Sequence, residues 1–399
     1  MSDRTPHLVT LTGQDGPGIA ERLFAALAGQ GIAVFDVEQV RVHGRLLLCV
    51  EIEVAEPDAG ELSRALSREL RTVQVEVAIA PLRERETGTG PDRYLVTVLA
   101  PEIDAGTLQG ITGRVSRCGG NIERIVRLSA YPVHSYELTV AGGDLTLLRR
   151  ALADEAVQHE VDIAVQVAGL HRRAKHLIVL DADSTLIQGE VIDLLAARGG
   201  CGAQVAAVTE AAMAGDIDFE EALRRRVRLL AGLGQADLDA VRRSIVLAPG
   251  ARTLVRTLKR LGYEMAVVSG GFMEVIGPLV AELGIDHLAA NVLSVEGGVI
   301  TGELAAPVLD RAGKASALIR FARAAGVPLS RTIAVGDGAN DLDMLAVAGL
   351  GIAFNAKPVV RQAADTALSV PYLDAILFLL GISRREVELA DQLDEAGRV

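Results

Sequence analysis

HLIVLDADSTLIQGE, residues 176–190, runs from an apolar segment straight into two carboxylates, Asp181 and Asp183, with a single alanine between them. A short apolar run closed by charge reads as a strand buried on both faces. EMAVVS, TIAVGD, GIAF and ALSV repeat the pattern downstream, each separated from the next by a helical stretch. Alternating apolar strands and helices predict an α/β fold whose C-terminal part, from about residue 171 to 399, is a doubly wound, Rossmann-type parallel sheet. Residues 190–250 are helix-rich and carry no comparable strand, so a helical cap is expected there.

In such a sheet the ligand crevice lies beyond the carboxyl ends of the strands. Asp181, Asp183, Ser184 and Thr185 follow the first strand, SGGF (269–272) the second, and DGAND (337–341) the third; Lys314 stands near the start of a helix. Crowded carboxylates destabilise one another, which calls for a hard divalent cation. Ser269, Lys314 and the free N–H groups of the glycine turn would in turn receive an anion. The combination predicts metal-assisted phosphoryl transfer.

Working back toward the N-terminus, residues 7–42 and 94–129 share one pattern of strand, glycine turn, amphipathic helix and second strand. Each is followed by another strand, a helix and a last strand, giving two βαββαβ units of the ferredoxin-like kind. The expected domains are 1–85, 86–170 and 171–399, with a charged, Gly/Pro-containing connection at 81–93.

The chain has 399 residues, half of them hydrophobic, with 40 basic and 52 acidic side chains and a net charge of −12. No basic block is interleaved with aromatics, which argues against a nucleic-acid partner. Three scattered cysteines, Cys49, Cys118 and Cys201, offer neither disulfide nor zinc spacing and suit a reducing cytoplasm. No secretory leader and no membrane-length apolar run are read.

The motifs DADST, SGG, Lys314 and GDGAND occur in the order that characterises the haloacid dehalogenase superfamily of aspartyl phosphatases, which the C-terminal three-fifths of the chain resembles. The resemblance implies that Asp181 is the nucleophile, Asp183 the general acid/base, and that Mg²⁺, or alternatively Mn²⁺, is held by Asp181, the carbonyl of Asp183 and Asp337, with Asp341 behind them. Ser269, Gly270 and Lys314 would bind the phosphoryl group, with Asn340 in support.

In DFEEALRRRVRLLAGL (218–233), helical stepping sets Arg226 among Phe219, Leu223, Leu230 and Leu233, with Arg224, Arg225 and Arg228 on the polar side. A buried cation needs an anionic partner, either a protein or a substrate carboxylate. Within the superfamily, DADSTLIQGEVIDLLA and AMAGDIDFEEALRRRV resemble the phosphoserine phosphatases. That likeness implies that Glu190 meets a substrate ammonium, Arg226 its carboxylate, and that Met213 and Phe219 line the pocket, so the expected reaction is hydrolysis of O-phospho-L-serine. Another small phosphorylated amine such as phosphohomoserine is the alternative substrate, and a non-catalytic amino-acid or phosphate sensor the alternative class. The repeated N-terminal units resemble ACT domains; L-serine is the expected effector, at Asp15 and Gly18 of the first copy and Gly106 of the second, and a homodimer through this half is expected.

Overall fold

The structure, a computed structural model, describes residues 4–82, 92–169, 172 and 174–396. The expected boundaries at 85 and 170, and most of the connection at 81–93, lie outside the described residues. The chain divides into two compact units, residues 1–90 and 91–399.

The first unit runs β1 (Arg4–Gln14), α1 (Ile19–Gly29), β2 (Val34–Val42), β3 (Arg45–Ala55), α2 (Glu56–Glu69) and β4 (Val75–Pro81). Its antiparallel sheet has the order β2-β3-β1-β4. Alternation sends Val9, Leu11, Leu48, Val50 and Ile52 to one face, where they pack with Leu23, Leu27, Leu62 and Leu66 of the helices. Gly18, at φ 84°, supplies the left-handed residue that swings the chain from β1 into α1.

The second unit opens with the same plan: β5 (Arg93–Ala100), α3 (Ala105–Arg117), β6 (Asn121–Ser129), β7 (His134–Ala141), α4 (Leu145–His159) and β8 (Asp162–Val167), in the order β6-β7-β5-β8. Asp104 and Asp144 cap α3 and α4 by accepting the Thr107 and Leu147 N–H groups. The face of this sheet away from its helices is covered within the unit. Leu99, Leu128, Val133 and Ala164 share one core with Leu373, Ile376 and Leu377 near the C-terminus. Arg172 donates to the Leu379 and Phe378 carbonyls and pairs with Glu137 on β7, while Asp162 accepts the Ser369 N–H at 2.5 Å.

The rest of the unit is a six-stranded sheet ordered β11-β10-β9-β14-β15-β16, formed by β9 (Leu177–Asp181), β10 (Glu264–Phe272), β11 (His287–Asn291), β14 (Thr332–Gly336), β15 (Gly351–Phe354) and β16 (Thr366–Leu368). All of its pairings are parallel. Ile178 and Leu180 of β9 enter one apolar layer and Leu177 and Val179 the other, so both faces are sealed. β9 lies between β10 and β14, where the winding reverses and a crevice opens.

Two elements escape the sequence reading. β11 is short and alanine-rich, too weak an apolar run to stand out. A hairpin, β12 (Leu293–Glu296) and β13 (Val299–Leu304), follows it. The cap leaves and re-enters the core through segments paired at Ile187 and Leu247, and its helices are Val191–Arg198, Gly202–Ala214, Phe219–Leu229 and Gln235–Ser244. The arginine-bearing helix stops at Leu229, because the following segment pairs with the hairpin through Gly232 N–H to the Ile300 carbonyl and Ile300 N–H to the Leu233 carbonyl. Leu230 and Leu233 are therefore buried beyond the helix, and its own buried residues are Ala222, Leu223 and Val227. Among the described residues no helix is long and apolar enough to cross a membrane.

Candidate active site

Asp181 is the last residue of β9 and Asp337 the first after β14, so neighbouring parallel strands deliver both to the crevice. Asp341 follows one turn later and folds back against Gly336. A Cβ at Gly336 would lie 2.4 Å from the Asp341 carboxylate, so only glycine permits the approach. Asp181, Asp337 and Asp341 can each offer an oxygen within 4.8 Å of the others.

Lys314 lies almost wholly inside this cluster. Its Nζ donates to Asp181 Oδ1 at 2.6 Å and to Asp341 Oδ1 at 2.7 Å. Burial alone would lower its pKa, but Asp181 and Asp341 outweigh that and hold the ammonium well above its usual value. The second Asp341 oxygen accepts the Gly338 N–H at 3.0 Å. With both oxygens engaged, Asp341 anchors the lysine and the loop, which suits a place behind the metal ligands.

Asp183 points to the other side. Its Oδ1 accepts the Val191 N–H at 2.8 Å and its Oδ2 the Ser269 hydroxyl at 3.0 Å; the same hydroxyl accepts the Gly271 N–H. Ser184, between this aspartate and the cap, adopts φ 56° and its hydroxyl donates to Glu190 at 3.4 Å. Burial raises the Asp183 pKa against these donors, and burial, then Asp341 and Asp183, raises that of Asp181 well above normal.

Four aspartates thus crowd the crevice against one lysine, and burial lifts Asp337 to about 6, with Asp341 adding to the rise. Hard oxygen donors in charge excess, pressed together away from water, fit a divalent cation of the magnesium type.

Glu190 sits at the mouth. It is open to solvent on one side, yet surrounding protein and then Asp183, Asp337 and Asp193 lift it to about 7, while Arg226 pulls it down. Arg226 is half-buried; Arg224 and Arg225 pair with Glu220 and Glu221, but among the described residues no carboxylate lies within 4.0 Å of the Arg226 guanidinium. Its Nε donates to the Ala222 carbonyl at 3.4 Å. Met213 and Phe219, at 69% and 39% exposure, end or begin cap helices on the solvent side and are not packed into a closed pocket. Gly270 has open space where a side chain would be, and Asn340 is half-buried in the loop after β14. Asn291, which sequence reasoning missed, is 2% exposed and bonds the Gly270 carbonyl.

The raised carboxyls have a measurable consequence. The folded, metal-free protein keeps protons on Asp337 and Glu190 that an unfolded chain, with ordinary values of 3.8 and 4.5, has released. Their contribution to stability is therefore full below about pH 4 and is lost as pH rises through about 6 to 7. Thermal unfolding in EDTA should show a midpoint that falls between pH 5 and 8 and recovers on adding Mg²⁺. A pH-independent midpoint would mean that the cluster is not strained.

Residues 178–346 match the haloacid dehalogenase-like hydrolase family, and residues 5–79 and 93–166 match ACT domains. These matches define the class: a hydrolase domain preceded by two ACT domains. The phosphoserine phosphatase of Streptomyces coelicolor is 52% identical over 99% of this chain and 97% of its own, and phosphoserine phosphatase SerB2 of Mycobacterium tuberculosis is 48% identical with the same coverage. A crystal structure of a probable phosphoserine phosphatase from Vibrio cholerae superimposes with a TM-score of 0.59 at 33% identity, covering 75% of this chain and 88% of that one. The chain belongs to the phosphoserine phosphatase family.

Proposed function

We propose that the protein hydrolyses O-phospho-L-serine to L-serine and phosphate, the last step in making serine, with Mg²⁺ held by Asp181, Asp337 and the carbonyl of Asp183. The observation that carries the substrate is the half-buried Arg226 guanidinium, which among the described residues has no carboxylate within 4.0 Å and which senses the charge of Glu190. A zwitterionic amino acid supplies what this pair lacks: a carboxylate for the arginine, held bidentate, and an ammonium for the glutamate.

Lys314 occupies Oδ1 of Asp181, leaving Oδ2 to attack phosphorus. The phosphorus–oxygen bond to serine breaks as Asp183 delivers a proton to the departing oxygen, and an aspartyl-phosphate remains on Asp181. Asp183 then takes a proton from water, which attacks phosphorus and returns Asp181 as a carboxylate. The raised pKa of Asp183 suits a group that must first hold a proton. When bound, the cation would offset negative charge on the transferring phosphoryl oxygens. Ser269, the Gly270 region and Lys314 hold the remaining oxygens, with Asn340 supporting the loop. Phosphate release from phosphoserine should vanish in EDTA and return with Mg²⁺; undiminished turnover in EDTA would exclude a metal requirement.

Regulation belongs to the same reading. Asp15, which pairs with Arg41 at 2.7 Å, and Gly18 would meet L-serine in the first ACT domain. In the second, Gly106 borders a cavity of about 550 Å³ also lined by Gln109, Arg117, Glu155 and His159, which offers both signs of charge to an amino acid. β2 is an edge strand exposed along its length, with Val37, Val40 and Val42 more than two-fifths open, which favours a homodimer through the first domain. Sedimentation of the full chain should give a dimer, and L-serine should bind with heat that Asp15→Ala diminishes; a monomer without that heat counts against both. The three cysteines are free, in keeping with a cytoplasmic setting.

A further inference from the structure

Asn291 closes β11 and is almost entirely buried, yet nothing in the mechanism above uses it. Its carboxamide is satisfied on both ends: Nδ2 donates to the Gly270 carbonyl at 2.9 Å, and Oδ1 accepts the Leu309 N–H at 2.8 Å. A carbonyl on one side and an N–H on the other fix the orientation of the amide, and neither an acid nor an apolar residue can serve both. The two partners lie on the two halves of the phosphoryl-binding apparatus.

Toward β10, the register with β11 shifts between Ser269 and Phe272, so Gly270 bulges from the regular ladder with its carbonyl toward Asn291. Asn291 takes that carbonyl. Because the peptide unit is planar, holding the Gly270 oxygen on one side turns the Gly271 N–H to the other. That N–H donates to Ser269 Oγ at 2.9 Å, which fixes the hydroxyl to donate to Asp183 Oδ2 at 3.0 Å. Toward the lysine, Leu309 directly precedes Asp310, which caps the helix Arg311–Ala324 by accepting the Gly313 N–H at 2.7 Å and accepts the Lys314 N–H on its carbonyl.

We infer that Asn291 is a positioning residue for the proposed phosphatase reaction: one amide sets the Gly270 peptide plane that orients Ser269 against Asp183, and at the same time fixes the start of the helix that carries Lys314. The inference rests on the proposed function, since it assigns Asp183 the role of proton donor to the leaving oxygen. It requires that loss of Asn291 harm proton delivery more than substrate binding, because Glu190 and Arg226 lie on the cap side and do not touch it.

The test uses the full chain with Mg²⁺ and two substrates, phosphoserine, whose alkoxide leaving group needs a proton, and p-nitrophenyl phosphate, whose phenolate does not. Asn291→Asp keeps the acceptor for Leu309 but loses the donor; Asn291→Ser shortens the side chain and breaks both bonds with little bulk. For each, kcat on phosphoserine should fall about tenfold or more, as small misplacements of reacting groups do, with KM changed by less than about threefold. Because hydrolysis of the aspartyl-phosphate draws on Asp183 with either substrate, the comparison on p-nitrophenyl phosphate is the initial burst of p-nitrophenol, which needs no proton from Asp183 and should be far less affected. Equal losses in phosphoserine turnover and in the rate of the p-nitrophenol burst would reduce Asn291 to a structural residue and overturn the inference, as would unchanged kcat in both variants. A wild-type protein inactive on phosphoserine would instead sink the function on which the inference stands.

Discussion

Asp181→Asn should lower phosphate release from phosphoserine by roughly four orders of magnitude or more, the scale on which removal of a nucleophile acts. It should do so without weakening the fold. The Asp181 carboxylate is buried beside Asp341 and Asp183, and its elevated pKa says that its charge is held at a cost when no cation is present. Asparagine removes that charge and keeps the shape, while Lys314 retains Asp341 as its partner. The metal-free variant should therefore melt at or above the temperature of the metal-free parent. Scanning calorimetry beside a phosphate assay separates the two effects. Residual turnover near that of the parent would sink covalent catalysis at this residue.

Arg226→Ala should lower kcat/KM for phosphoserine about 10²- to 10³-fold, the range expected when one partner of a half-buried, bidentate charge pair is removed. The loss should be selective. p-Nitrophenyl phosphate carries neither carboxylate nor ammonium, so its hydrolysis should change only a few-fold. The guanidinium has no protein carboxylate within 4.0 Å among the described residues, so its loss breaks no ion pair, although Glu190, whose charge Arg226 favours, should titrate higher in the variant. Equal effects on both substrates would transfer Arg226 from substrate choice to cap structure.

The features most legible in the sequence are those whose cause is local. β9 shows because four consecutive apolar residues are sealed on both faces, and the carboxylates show because they stand where such a strand must end. The two βαββαβ copies are readable from periodicity, and the structure has them strand for strand. What depends on distant partners is not legible. Asn291 reads as a polar end to a weak run until β10 is laid beside it with a shifted register. Lys314 reads as an anion-binding cation, whereas its ammonium lies against two aspartates drawn from separate strand ends. Helical stepping sets Arg226 on the inner face, but it carries the same helix through Leu233; only the hairpin, unseen in the pattern, explains why the helix stops earlier. Met213 and Phe219 are pocket residues by the family likeness alone, and their exposure follows from lying at or near helix ends of the cap.

The two ACT domains look like duplicates, yet they have different standing in the chain. The first keeps its apolar residues in a core of its own. The second shares Leu99, Leu128, Val133 and Ala164 with the catalytic core and is bolted to it through Arg172, whose guanidinium reaches carbonyls more than two hundred residues further on. Severing the chain at residue 90 would separate two complete interiors, whereas severing it at 170 would strip Leu373, Ile376 and Leu377 of the sheet that covers them. The repeat is thus unequal: one copy has an interior of its own, and the other forms part of the wall of the enzyme.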